Sequence, residues 1–144
     1  MKPSLNEPAT TTQIDRFLYE VISQFGPADN RSFLENLTLL KVWVEQIRQR
    51  GGDVIFLRMP VSGFVQMTDN QRYPRANFFD QVTYVTGAAS IHFADFPEMA
   101  DFDCPDGSHL DYRDKKPFTK ALVQEIKRIL QAKSFHENRE YAGT

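Results

Sequence analysis

One short segment, GGDVIFLRMP, constrains the fold more than any other part of the chain. Its continuous apolar run from Val54 to Leu57 is typical of a strand that is buried on both faces, as the strands of parallel sheets are. The two glycines end the element before it, and Pro60 ends the strand. A second segment, AASIHFADF, has the same short apolar character. We therefore predict two parallel strands, near residues 53–59 and 89–95.

Apolar residues at helical spacing occur on both sides of these strands. The predicted helices cover residues 12–25, 32–50, 74–85 and 115–132. In the second of them, Ser32 and Glu35 have the spacing of a capping box. The buried stripe of the last helix is predicted to contain Phe118, Ala121, Leu122, Ile126, Ile129 and Leu130. Residues 60–73 and 95–113 are predicted to be loops, the second of them acidic.

This order of elements predicts one α/β domain with helices on both faces of the sheet, a three-layer α/β/α arrangement. The domain is predicted to cover residues 11–133, between a disordered arm at 1–10 and a polar tail at 134–144. Parallel sheets usually contain several strands. Because only two strands are evident, we expect the sheet to be incomplete.

Composition excludes several classes of function. The chain has a net charge of −2, which does not support the basic surface that nucleic-acid binding requires. The single cysteine, Cys104, allows no internal disulfide, and we predict that it is a small packed residue rather than a nucleophile. No apolar run approaches the roughly 20 residues of a membrane span, and the first residues are polar. We therefore expect no membrane partner and a cytoplasmic location.

We expect no cofactor or metal. The 3 histidines are dispersed along the chain, and there is no glycine-rich phosphate loop. The aspartates of the acidic loop do not have the spacing of a calcium-binding loop. His92 is predicted to be a packed histidine with a backbone partner rather than a ligand.

The segment PDGSHLDYRD holds the candidate site residues Asp106 and His109. A spacing of three residues on a turn places both side chains on one side, where the aspartate can hold one imidazole nitrogen and leave the other to accept a proton. The alternative is an Asp-Gly turn followed by an exposed histidine. Three segments lie where the carboxyl ends of the strands are expected, namely residues 58–63, 95–99 and 103–110.

The sequence DGSHLDYRDKKPFTKAL resembles the last block of the SGNH, or GDSL-like, hydrolase superfamily, in which an Asp-x-x-His pair precedes the C-terminal helix. The segments VIFLRMPVSG, YPRANFF and TGAASIHFADFPE are also similar to the second half of that domain, particularly in its bacterial and cyanobacterial members. The resemblance covers residues 31–132. It implies the C-terminal part of a flavodoxin-like fold and activity on a small acyl ester.

The resemblance also implies roles for single residues. His109 matches the general base of the family and Asp106 the acid that orients it. Arg58 and Ser62 would line the same pocket and contact substrate. A structural salt bridge for Arg58 and a turn hydroxyl for Ser62 are the alternatives.

The chain departs from the family pattern at the nucleophile. No serine has the Gly-Asp-Ser context of the family, and the glycine and asparagine blocks that donate to the oxyanion are absent. Three hypotheses remain. The chain carries the acid–base pair of an esterase whose nucleophile comes from another chain or an unrecognised serine. It is a non-catalytic remnant that pairs with a second copy or a complementing chain through its sheet. Or the gene begins further upstream. We expect the isolated chain to be a poor esterase.

Overall fold

The structure is a computed structural model that describes residues 28–142, apart from the side chains of 136–142, together with residues 13, 16, 17, 19–21 and 24. The predicted arm at 1–10 and half of the residues of the predicted helix at 12–25 lie outside the described residues. The α-helices of the continuous part are α1 (Asn30–Gln49), α2 (Gly63–Arg72), α3 (Phe79–Thr86), α4 (Pro97–Ala100) and α5 (Lys115–Ala142). The strands are β1 (Ile55–Arg58) and β2 (Ala89–His92), and 3-10 turns occupy Arg75–Asn77 and Phe93–Asp95.

The two strands pair in parallel, as predicted, with Ile55 opposite Ala89 and Arg58 opposite His92. They form the sheet of the described residues, and the mixed α/β class is thereby confirmed. The finer expectation of a flavodoxin-like three-layer fold stays a prediction, because two strands do not define that topology. The strand β1 is not buried on both faces, since Leu57 is 37% exposed. Its partner in β2, Ile91, is 0% exposed, so β2 is more deeply buried than β1 on the face that the two residues share.

The main core lies between one face of the sheet and α5. Its buried members are Val61, Ile91, Phe93, Met99, Phe118 and Ala121. The stripe predicted for α5 is confirmed at its N-terminal end, whereas Leu130 is 44% exposed. A helix of 28 residues is about 42 Å long, whereas four-residue strands span about 13 Å, so the later turns of α5 extend past the sheet. The same helix continues through the segment predicted as a polar tail.

The other face of the sheet contacts α3. Thr83 Oγ1 lies 2.7 Å from Ser90 Oγ, and the rings of Phe79 and His92 are 5.0 Å apart. The predicted helix at 74–85 is confirmed as a 3-10 turn followed by α3, and Gly87 ends it with a φ of 66°. Helix α1 packs against α3 and buries Leu37.

The start of α1 differs from the predicted capping box. Asp29 is the N-cap: its carboxylate accepts a hydrogen bond from the Arg31 N–H at 3.0 Å and another from the Ser32 hydroxyl. Glu35 forms an ion pair with Arg31 instead of reaching back to the cap. Aspartate is as good an N-cap as serine, and here it precedes the serine by three residues.

Both predicted loops contain helices. The prediction of a loop at 60–73 was wrong, since α2 occupies most of it. Its sequence, GFVQMTDNQR, is rich in poor helix formers, and the helix is stabilised by tertiary packing of Val65 against the core. The acidic loop at 95–113 contains α4, a single turn that begins with Pro97 and buries Met99 completely. None of the described helices combines the length and apolarity that a lipid bilayer span requires.

Candidate active site

Ser62 anchors the loop that carries Asp106 and His109, which we call the Asp–His loop (residues 103–110). The Ser62 hydroxyl donates to the Cys104 carbonyl and accepts from the Cys104 N–H, both at 3.0 Å. The Ser62 N–H also donates to the Gly107 carbonyl at 3.0 Å. Since Ser62 follows β1 by four residues, these three hydrogen bonds fix the Asp–His loop near the carboxyl end of the sheet.

A tight turn inside the loop requires glycine at position 107. The Gly107 N–H donates to the Cys104 carbonyl at 2.8 Å, and Gly107 has a φ of 83°. A Cβ atom there would lie 2.7 Å from Val65 Cγ2 and 3.3 Å from the Ser62 carbonyl oxygen. The predicted Asp-Gly turn is therefore present, and α2 packs directly beneath it.

Asp106 organises the residues that follow the turn. Its Oδ1 accepts hydrogen bonds from the N–H groups of Ser108, at 2.9 Å, and His109, at 2.7 Å. Its Oδ2 lies 2.8 Å from His109 Nδ1. The Asp–His contact that the spacing predicts is thus present together with the turn that was its alternative.

Hydrogen bonding sets the protonation of the pair. Burial alone would raise the pKa of Asp106, but the hydrogen bonds from the Ser108 and His109 backbone and from the His109 ring lower it below its ordinary value. An ionised carboxylate only accepts, so the proton between the two side chains belongs to Nδ1. The neutral ring then has its lone pair on Nε2, the arrangement that a general base requires.

The ring of His109 is open to solvent, with its side chain 81% exposed. Ser108 Oγ lies 2.9 Å from Nδ1, the nitrogen that Asp106 already holds. In the described part of the chain, the hydrogen bonds of the His109 ring all involve Nδ1. Ser108 is therefore on the wrong side of the ring to be the nucleophile that Nε2 would activate.

The structure does not place the two other candidate residues beside the His109 ring. Arg58 forms an ion pair with Asp69 of α2, so the salt bridge that was its alternative is present. Ser62 uses its hydroxyl for the Cys104 backbone. Ser62 thus holds the Asp–His loop in place. Arg58 instead lines a pocket that does not include the Asp–His loop.

That pocket has a volume of about 520 Å³ and lies at the carboxyl ends of both strands. We call it the strand-end pocket. It is lined by Ala28, Asp29, Phe33, Arg58, Asp69, Asn70, Tyr73, Arg75, Phe78, Phe79, Val82 and His92. The sequence contained one indication of it, since Arg58 lies near the end of the first predicted parallel strand, where ligands collect in open α/β sheets. His92 was predicted to lie within the second strand, and the structure shows that this strand ends at His92. Sequence analysis missed Asp69, because its helix was predicted to be a loop.

Two side chains near these sites, the buried Cys104 and the partly buried His92, are held by hydrogen bonds to the backbone. Cys104 is 3% exposed and its thiol donates to the Pro60 carbonyl at 3.4 Å. Burial raises the pKa of this thiol, and the nearby carboxylates of Asp103 and Asp106 add to the effect. His92 Nδ1 accepts a hydrogen bond from the Ala94 N–H at 3.2 Å, as the sequence interpretation of a packed histidine predicts.

The described residues contain no cluster of three or more histidine, cysteine or acidic side chains that could hold a metal ion. Comparisons with models of known protein families, with curated proteins and with solved structures find no match.

Proposed function

We propose that this chain carries the acid–base pair of an ester-hydrolysing or acyl-transfer site, in which His109 is the general base and Asp106 orients it. The observation that supports the proposal is the 2.8 Å hydrogen bond from His109 Nδ1 to Asp106, which leaves Nε2 available on an exposed ring. The resemblance of this segment to the SGNH superfamily points to the same roles. Small acyl esters are the proposed substrates.

In the proposed reaction, His109 Nε2 takes the proton of a hydroxyl group while the oxygen of that hydroxyl group attacks the ester carbonyl carbon. The new C–O bond forms as the carbonyl π electrons move to oxygen. Asp106 remains ionised and stabilises the imidazolium. A lone pair on the carbonyl oxygen then re-forms the C=O bond, the ester C–O bond breaks, and the imidazolium returns the proton to the leaving alkoxide. The attacking hydroxyl would come from water or from a serine of a complementing chain, since Ser108 contacts the other nitrogen.

Hydrolysis of p-nitrophenyl acetate by the full chain tests the proposal. We expect a slow rate, because oxyanion donors commonly contribute about 10²- to 10³-fold and none is identified. The part of the rate above buffer should be lost in His109→Ala and reduced in Asp106→Asn, which removes the carboxylate that holds His109 Nδ1. His136→Ala controls for hydrolysis by any histidine.

Equal rates in the wild type and His109→Ala would contradict the proposed role of His109. Fast, saturable turnover that disappears in His109→Ala would support the base and place the nucleophile within this chain. In that case a fluorophosphonate probe would label the responsible serine, which peptide mapping would identify.

A second candidate function is pairing with another chain through the sheet. It is favoured by the exposure of Leu57, 37%, and Met59, 41%, beside a strand that has one neighbour in the described residues. An unpaired strand edge offers a row of N–H and C=O groups to a second copy or a complementing chain. Light scattering tests this: a molar mass of twice 16.6 kDa would support a homodimer, and a monomer would leave only a complementing chain.

A further inference from the structure

The strand-end pocket has the location and size of a ligand site that is separate from the Asp–His loop. Arg58 and His92 are the last residues of β1 and β2 and lie opposite each other in the sheet. Functional groups of open parallel sheets gather at this end of the strands. The volume of about 520 Å³ falls within the usual range for small-molecule pockets, roughly 300–1,000 Å³. None of the residues that line it belongs to the Asp–His loop.

The walls of the pocket are aromatic and come from three elements. Phe33 of α1 packs against Phe78 with ring centroids 5.0 Å apart, and Tyr73 meets Phe78 edge-on at 5.3 Å. Phe79 contacts the His92 ring edge-on at 5.0 Å. Mutual contacts hold these rings in place, so the pocket offers a preformed apolar surface.

The acidic groups of the lining are already engaged. Asp69 pairs with Arg58, and Asp29 accepts the hydrogen bonds that cap α1. Arg75 is occupied by two carboxylates, Asp80 and both oxygens of Asp95. Each acidic side chain of the lining therefore already has a hydrogen-bonding or ionic partner.

The polar groups of the lining that can still bind a ligand include hydrogen-bond donors on Arg58 and His92. A guanidinium has five N–H donors, and in the described residues the hydrogen bond of Arg58 to Asp69 uses one Nη atom. His92 Nδ1 accepts from the Ala94 N–H, so the proton of the neutral ring lies on Nε2. Burial lowers the pKa of His92, with Arg75 adding to the effect, which keeps the ring neutral. Both donors stand at the strand ends, beside the aromatic walls.

We propose that the strand-end pocket binds a small monocarboxylate with an apolar body. The carboxylate accepts hydrogen bonds from Arg58 and from His92 Nε2–H, and the apolar body lies against Phe33, Phe78 and Phe79. Arginine suits this role because its planar donors match a carboxylate. This proposal is independent of the reaction proposed for the Asp–His loop.

Titration of benzoate into the full chain, followed by NMR of the histidine and aromatic ring resonances, tests the proposal. We expect saturable shifts at His92 and Phe79 and none at His109. Methyl benzoate has the same ring without the charge, so we expect it to bind at least about tenfold more weakly. Arg58→Gln should weaken benzoate binding by about the same factor. Arg31→Gln, which removes an exposed arginine paired with Glu35, should leave benzoate binding unchanged.

Asp69→Asn separates ligand binding from a purely structural role of the Arg58–Asp69 pair. Removing the carboxylate that competes for Arg58 should strengthen benzoate binding several-fold, whereas a merely structural pair predicts weaker binding. If Arg58→Gln fails to fold, Asp69→Asn and the methyl benzoate comparison still test whether the pocket recognises a carboxylate. The proposal is overturned if benzoate gives no saturable shift at His92, if methyl benzoate binds equally well, or if Asp69→Asn weakens binding.

Discussion

Gly107 is the residue on which the geometry of the Asp–His loop depends. We expect Gly107→Ala to destabilise the protein by about 1–3 kcal/mol, because the added Cβ meets Val65 and strains a positive φ. The matched control is Gly51→Ala, where φ is 80° but nothing lies within 4 Å of the new Cβ. Urea unfolding measures both variants. Equal losses of unfolding free energy in the two variants would show that the strain of a positive φ is the whole cost. Val65 of α2 would then move aside to accommodate the added Cβ.

His92 should make stability fall on mild acidification. Its pKa is lowered, first by burial and then by Arg75 and Arg58, while Asp95 and Asp80 oppose the shift. The unfolded chain therefore binds more protons than the folded one below the ordinary histidine pKa of about 6.5. The contribution of His92 is complete above that pH and is lost as pH falls through the folded pKa.

The measurement is the free energy of unfolding in urea at about pH 7.5 and about pH 5. We expect His92→Gln to lose less stability between the two than the wild type. His136→Gln serves as the control for histidine content. The same loss in the wild type and His92→Gln would remove His92 as the cause.

Among the elements, α1 offers a direct test of how the helices pack. Leu37 is 1% exposed and Leu39 is 58% exposed on the same helix. We expect Leu37→Ala to cost about 2–5 kcal/mol and Leu39→Ala within about 0.5 kcal/mol of zero. Chemical denaturation of both variants provides the comparison. A large cost at Leu39 would mean that another surface covers this side of α1.

Apolar spacing was sufficient to predict α1, α3, the start of α5 and both strands, because each has a face that the core buries. It failed for α2, where Gly63, Asp69 and Asn70 have poor helix propensity and the helix depends on packing of Val65. It also failed for Leu130 near the end of α5, which was predicted to be buried and is 44% exposed. Sequence periodicity does not show where the four-residue strands end and hence where the helix extends past the sheet.

The same distinction applies to the sites. The Asp106–His109 contact is local, so a spacing of three residues predicts it. The environment of Arg58 depends on Asp69, eleven residues away, in the helix that the sequence did not indicate. Long-range partners of this kind require the fold, and the strand-end pocket could not be assembled without them.

At the scale of the whole molecule, residues 1–27 are expected to limit self-association. The ring of Tyr19 packs against that of Phe64 in α2 at 5.7 Å. Met67 of the same helix is 59% exposed, and Leu57 lies half-exposed on β1. Deleting residues 1–27 removes the Tyr19 ring from Phe64 and so enlarges the exposed apolar surface of α2.

Light scattering of the full chain and of the deletion variant at several concentrations measures the effect. We expect the apparent mass of the deletion variant to rise with concentration more steeply than that of the full chain. Tyr19→Ala should shift the full chain in the same direction to a smaller extent. A deletion variant that stays monomeric throughout would contradict this role.

The rate at which the Cys104 thiol is chemically labelled can report how often the Asp–His loop opens. The thiol is buried and protonated, so a disulfide reagent reacts with it only during excursions that break its contacts with Ser62 and Pro60. We expect the labelling rate to increase in Ser62→Ala, which opens the Asp–His loop, by a larger factor than global stability accounts for. In Leu37→Ala the rate should follow the unfolding equilibrium alone. The ratio of the two rates would separate local opening around His109 from unfolding of the whole chain.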